Sequence, residues 1–558
     1  MRSLSSGSRG NRIILFLIGT LLGAVCFIGV YGVRVLDPSY DDWLLLGDMD
    51  LRQHYIGFCH FRQSRWQFPI GLIETLSYPM SMSVIYTDSI PLLAVLFKLL
   101  AWFLPVKFQY FGWAGLLSFM LMGGFSCLLL SRFVKNRALC ALCSLFFILS
   151  YPVIQRMFYH TALAAQWIII LALVLWFFEE ELTVVKRTVF WCIMGLLCVG
   201  IHSYFLPMAG LILLCAVAEE VMAGKEKALF NGMMELAGFC LTALTALFVL
   251  GGFYGGTSAV GEGLGTFSAN LNTFINPLKD GKLYPGLPLY YDFQYEGFAY
   301  LGGGCLLLLV LSGLILIIFS AAGYLKPAEY IKKHSKAVLS LCLFLVTLAL
   351  AVFPIVSFDK VKLFGVPYPG FIRKLLGIFR SNGRFIWVCF YLLLLAGCAG
   401  SVRLIQYCVK GRKGVIISFV SVSAALLLQL YDISGMLKGK YDYFAAEQHY
   451  QTLWERIEPV KDIESYSGFV FMYNDNDILM DTAYYGYLHG MWQNNYYYAR
   501  DINDAVEMNI AQWNAALSAG KIRKDIIYIY RELEGDIKPA PELEQVYFDG
   551  HIAGYKKK

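Results

Sequence analysis

Charge is scarce in this 558-residue chain: Asp, Glu, Lys and Arg together make up 15%, where a soluble chain carries about 25%. The shortfall excludes an ordinary soluble fold. The net charge of +6 is modest and gives no reason to invoke nucleic acid. A disulfide framework is lacking too. Nearly all of the 14 cysteines fall in apolar runs, where Cys acts as a small hydrophobe. Cys59 stands outside the membrane spans on the outer side and Cys408 in the last basic loop, and no paired CxxC offers a zinc site. No internal repeat or low-complexity stretch stands out.

What the chain has instead is apolar sequence, 58% of it hydrophobic, with a mean hydropathy of +0.57. The apolar residues come in blocks of roughly 16 to 24, long enough to cross a bilayer as helices. The first block, IILFLIGTLLGAVCFIGV, starts near Ile13 and follows Arg2, Arg9 and Arg12. Its length and the lack of a small-residue cleavage pattern favour an uncleaved anchor over a signal peptide. The arginines place the N-terminus in the cytoplasm. Further spans lie near 110–131, 138–153, 161–178, 188–203, 205–221, 229–252, 299–320, 338–356, 385–402 and 414–431, making eleven. Every second loop is then basic: Arg132, Lys135 and Arg137; Lys186 and Arg187; Lys225 and Lys227; Lys326, Lys332, Lys333 and Lys336; Arg403, Lys410, Arg412 and Lys413. Counting IPLLAVLFKLLAWFLP (90–105) as a crossing would put these clusters outside, so it is read as a helix lying at the outer membrane surface.

The expected class is a polytopic α-helical membrane protein of the inner or plasma membrane. A transmembrane region occupies 1–431, with large outer loops at 32–109, 253–298 and 357–384. Residues 432–558 follow, rich in Asp, Glu, Asn and Tyr. There, β-like runs such as GFVFMY, DIIYIY and QVYF alternate with helical stretches such as AVEMNIAQWNAAL, which predicts an extracytoplasmic α/β domain.

Chemistry-bearing residues collect in the outer segments. In GDMDLRQHY, Asp50 and His54 are four apart and share a helix face. Asp48 lies about 200° round from Asp50, and either acid is also a natural N-cap. Asp88 precedes Ser89-Ile90-Pro91, which resembles a helix start, so an N-cap is expected there as well. Arg156 and His160 are four apart in the second outer loop. His202 and Tyr204 end the fifth span, and Glu296 is the acid beside the membrane in a long loop that could close over a site. The loop 357–384 carries Lys360, Lys362, Arg373, Lys374, Arg380 and Arg384 against Asp359 alone, contrary to the positive-inside tendency. Arg380 and Arg384 suit a phosphate; anionic headgroups would also account for the charge. A carboxylate base, a basic pocket for a departing phosphate and a cavity at the membrane face fit glycosyl transfer from a lipid-phosphate sugar.

Six stretches carry a resemblance: DLRQHYIGFCHFR from Asp50, YTDSIPLLA from Tyr86, RMFYHTAL from Arg156, HSYFLPM from His202, YEGFAYLG from Tyr295 and RSNGRFIW from Arg380. In that order, through most of residues 40–400, the chain resembles the GT-C superfamily of membrane glycosyltransferases, and most closely a bacterial branch of it. One departure is Phe58, where the branch has Trp. The resemblance implies an inverting enzyme with a polyprenyl-phosphate-linked sugar as donor and an envelope glycan, lipid or protein as acceptor. Asp50 would stand at the first-loop acid position, Asp48 would be the reserve and Asp88 a support. Arg380 or Arg384 would face the phosphate, with His54, Arg156, His160, His202, Tyr204 and Glu296 around the substrate. The oligosaccharyltransferase's metal-binding acids have no counterpart after the third span, so no cofactor is assigned. A divalent metal stays open, because superfamily members differ. The alternatives are a lipid or polysaccharide transporter or flippase, which predicts ionisable residues near the midplane of several spans, and a scaffold whose C-terminal domain binds a partner.

Overall fold

A computed structural model describes residues 6–254, 263–325, 334–456, 460–474, 478–498, 503–531, 539–548 and 552–558. Residues 255–262 of the long loop, and Lys326, Lys332 and Lys333 of the fourth basic loop, lie outside the described residues.

Nine helices among the described residues are long and apolar enough to cross a membrane: Gly10–Tyr31, Phe111–Leu130, Val184–Ile201, Phe205–Met222, Ala228–Val249, Gly303–Ala321, Ser335–Val352, Asn382–Cys408 and Gly411–Ala445. The two remaining apolar blocks form shorter helical segments, Arg137–Ile148 and Thr161–Phe177. Twelve residues of helix reach about 18 Å, short of a ~30 Å hydrocarbon core. The block expected at 138–153 breaks because Pro152 opens a separate short helix, Tyr151–Arg156. Both short segments are mostly buried within the bundle. The helix predicted at the membrane surface spans Pro91–Leu99, followed by exposed Trp102 and Phe103. Its Lys98 is buried, with Nζ 4.1 Å from the Phe61 ring centre and 4.5 Å from that of Trp66.

The first and second long helices cross at close range. A Cβ on Gly19 or Gly23 would run into the backbone of Gly123 or Phe119. The spacing Gly19-x-x-x-Gly23 is what such backbone contact requires in lipid, where packing replaces the hydrophobic drive. One end of the bundle is tied by ion pairs: Arg12 with Glu181, Arg132 with Glu180, Arg187 with Glu220 and Glu235, and Lys336 near Glu179, Glu180 and Glu219. The basic loops thus meet acids at their own end.

The last long helix continues to Ala445 and leads to the α/β part. Its five-stranded sheet runs Trp492–Gln493, Gly468–Phe471, Ile526–Arg531, Ile552–Lys557, Leu543–Phe548, parallel across the first three and antiparallel across the rest. Helix Leu479–Leu488 rests on the first-loop helix Met49–Gln63. Buried Asp41 accepts hydrogen bonds from Tyr55 and Tyr484 at 2.8 and 2.6 Å, and His60 Nε2 lies 2.8 Å from the Ala483 carbonyl. Tyr78 N donates to the Gln493 carbonyl at 2.9 Å. These contacts fix the α/β part against the end of the bundle away from the ion-paired loops.

Candidate active site

The first-loop helix begins at Met49 because Asp48 caps it: Asp48 Oδ1 accepts from Leu51 N at 3.0 Å. Asp50 is left in the first turn with its carboxylate free for a distant partner, His160, whose Nε2 lies 3.2 Å from Asp50 Oδ2. His160 reaches this point because the helix Tyr151–Arg156 stops and Phe158 takes a left-handed conformation, φ +57°. Arg156 Nη1 lies 3.4 Å from His160 Nδ1. A guanidinium can only donate, so Nδ1 is the acceptor and Nε2 carries the proton toward Asp50. Burial, aided by Arg156, pushes the His160 pKa down, so His160 is a neutral donor. For Asp50, burial works against ionisation, but the bond from His160 overcomes it and holds the carboxyl below its usual value.

The same arginine continues inward. Arg156 Nη2 is 2.9 Å from Glu296 Oε2, and Arg384 Nε reaches that same oxygen at 2.8 Å. Glu296 is supplied by the short 3-10 turn Asp292–Gly297 and Arg384 by Asn382–Phe385. Burial would raise the Glu296 pKa, but the two guanidiniums hold it well below the carboxylate range. Arg384 also lies over Tyr204, Cζ to ring centre 4.5 Å, and the Tyr204 hydroxyl accepts from Ser381 N at 2.7 Å.

Asp88 corrects an expectation. The N-cap of Pro91–Leu99 is Ile90, not Asp88, and Ile90 makes no side-chain cap. Asp88 instead ends the 3-10 turn Val84–Thr87 in left-handed backbone, φ +51°, and Ile90 follows at φ +52°. A β-branched residue there costs roughly 1–3 kcal/mol. The outcome is a carboxylate turned toward His202, Oδ1 to Nε2 3.6 Å. His202 Nδ1 accepts from Tyr204 N at 3.2 Å, and burial keeps the ring neutral. Burial pushes the Asp88 carboxyl up to about 7, with Arg384 pulling the other way.

All eleven residues singled out from sequence thus lie at one end of the bundle, from six separated segments, and ten of them face one cluster. Asp48 is the exception. Its carboxylate faces away from Asp50 into a cavity of about 1440 Å³ lined also by Arg156, Tyr159 and Lys440. Asp48 is open to that cavity, yet protein surrounds it at longer range, and this desolvation pushes its carboxyl up to about 6.

Two of the sequence pairings separate. Arg380 and Arg384 are not equivalent: Arg384 is buried on Glu296, whereas Arg380 is exposed, its Cζ 4.8 Å from the Phe267 ring centre. Glu296 is shut in by two arginines, which occupy its carboxylate. His54 is fully buried, 6.1 Å ring to ring from His160, and neither of its ring nitrogens has a hydrogen-bond partner among the described residues. Burial pushes its pKa to about 3. No group of three His, Cys, Asp or Glu side chains gathers as metal ligands among the described residues.

The sequence reading missed Tyr497. The α/β part brings it here: Gln53 Nε2 donates to the Tyr497 carbonyl at 3.0 Å, and the Tyr496 hydroxyl donates to the Gln53 carbonyl at 3.3 Å. Burial and the nearby Asp50 charge push the Tyr497 phenol up to about 12, against a pull from Arg380. The run NNYYY was the available signal, though nothing local ties it to Gln53.

A family model described as a domain of unknown function, DUF6311, matches residues 20–434. The match takes in the helical bundle and every residue of the cluster except Tyr497. No curated protein matches the chain.

Proposed function

We propose that this chain, which belongs to the DUF6311 family, transfers a sugar from a polyprenyl-phosphate donor to an envelope acceptor at the outer face of the membrane. The observation that carries this reading is the meeting of Asp50, oriented by a neutral His160, with the exposed Arg380 around Tyr497. Asp50 takes the proton of the acceptor hydroxyl as that oxygen attacks the anomeric carbon. The bond from that carbon to the phosphate oxygen breaks, with inversion. The leaving polyprenyl phosphate keeps the electron pair, and Arg380 stabilises the charge. Arg384 acts from behind, holding Glu296 and, through it, Arg156 and His160. Asp88, at about 7, sits where it can accept or return a proton during turnover.

Sidedness follows from the basic loops, which the positive-inside rule assigns to the cytoplasm; the cluster is at the other end. A transporter is less well supported, because its ionisable residues would sit near the midplane of several spans.

The test is sugar transfer from polyprenyl-phosphate donors to host envelope glycans, with membranes from cells carrying or lacking the gene. Asp50→Asn abolishes transfer while the protein inserts and purifies as before. Full transfer by that variant would remove Asp50 from the reaction.

A further inference from the structure

The cavity that Asp48 faces is separate from the Asp50 cluster, and the reaction above leaves it without an occupant. At about 1440 Å³ it exceeds the ~300–1,000 Å³ of ordinary small-molecule pockets. Its wall alternates in character. Asp48, Asp280 and Asp292 stand against Arg156, Lys279 and Lys440, three acids to three bases, with Tyr159, Tyr295 and Tyr443 among the apolar residues between them. Lys440 is fixed there, its Nζ donating to the Met157 carbonyl at 3.1 Å.

This lining selects by exclusion. With three acids balancing three bases, the wall has no excess of positive charge to draw a phosphate-rich ligand. Charged groups of both signs oppose a lipid tail, which could not satisfy them. A neutral molecule dense in hydroxyls satisfies all of them: its hydroxyls donate to the carboxylates and accept from the bases, and its C–H faces lie on the tyrosine rings.

Position points the same way. The helix Gly411–Ala445 has 35 residues and is about 52 Å long, against a ~30 Å hydrocarbon core. With Arg412 and Lys413 at its start in the opposite boundary, the turns around Lys440 and Tyr443 stand above the hydrocarbon, open to a water-borne chain. The cavity also shares a wall with the cluster. Arg156 lines it while binding Glu296, and the cap Asp48 faces it while Asp50, in the first turn of the same helix, pairs with His160.

We infer that this cavity holds the body of the acceptor, a neutral, hydroxyl-rich glycan gripped by Asp48, Asp280 and Lys440, whose reacting end extends past the Arg156 wall to Asp50. The inference rests on the transferase reading for the word acceptor; glycan binding itself is measured separately.

The experiment uses the full-length protein in lipid nanodiscs on an array of neutral and acidic oligosaccharides, with polyprenyl phosphate binding measured in parallel. Neutral oligosaccharides are retained. Asp280→Ala and Lys440→Met each weaken retention at least tenfold and leave polyprenyl phosphate affinity unchanged; Arg380→Ala does the reverse. Two variants guard against one failing to fold. Retention of no glycan, retention of acidic glycans alone, or retention unaltered in both folded variants overturns the inference. Failure of the wild type to bind polyprenyl phosphate, with glycan retention intact, strikes the transferase reading and leaves the glycan site standing.

Discussion

Glu296→Gln removes one charge and strands two. The Glu296, Arg156 and Arg384 side chains are 5%, 1% and 9% exposed, and both guanidiniums share Oε2 at 2.9 and 2.8 Å. At an effective dielectric near 20, each contact corresponds to ~6 kcal/mol of attraction, offset by the desolvation of three ions. Glutamine keeps the shape and one acceptor oxygen but not the charge. Two buried guanidiniums are then left facing each other. Breaking a buried pair from one side costs about 3–5 kcal/mol. A domain of 150–250 residues loses about 2–4 °C per kcal/mol; a larger cooperative bundle loses less, so a fall in Tm of ~3–8 °C is expected. The assay is thermal unfolding of the purified full-length protein, followed by tryptophan fluorescence or retention of the monodisperse peak. Arg384→Met gives the control, because Glu296 keeps Arg156 and the fall is smaller. A Glu296→Gln Tm within a degree of wild type, or a larger fall for Arg384→Met, would refute the reasoning.

Arg380→Ala weakens polyprenyl phosphate binding about tenfold with little change in Tm, as measured by titration in nanodiscs; Arg384→Ala lowers Tm first. His54 sets a pH dependence. Its folded pKa, near 3, is far below the ordinary ~6.5, so the unfolded chain takes up the proton first. The stability due to neutral His54 is complete above ~6.5 and is lost as pH falls toward 3. His54→Phe, which removes two unpartnered nitrogens, keeps wild-type stability near pH 7.5 and loses less of it between pH 6.5 and 5 in melting scans. A steeper loss than wild type would count against burial as the cause. Gly23→Leu forces the first two long helices apart and lowers both expression and Tm, whereas Gly29→Leu, with open space around it, leaves both unchanged.

The sequence by itself determined the membrane class and the apolar blocks, because hydropathy and length are local properties. It also offered Asp48 as an N-cap, the role it takes at the start of the helix Met49–Gln63. The compositional change near residue 432 announced the α/β part. Tertiary structure alone decided what each charge is for. Glu296 looks like an isolated loop acid in sequence, yet Arg156, 140 residues away, and Arg384, 88 residues away, bind its carboxylate. Arg380 and Arg384 look alike on the page, but only one turns into the bundle. Asp88 has the neighbours of an N-cap, yet it ends the preceding turn in left-handed backbone and its carboxylate meets His202, 114 residues away. The physical reason is common to all three: an ionisable group's role depends on its burial and on its opposite charges, and both arrive from parts of the chain that no local window contains.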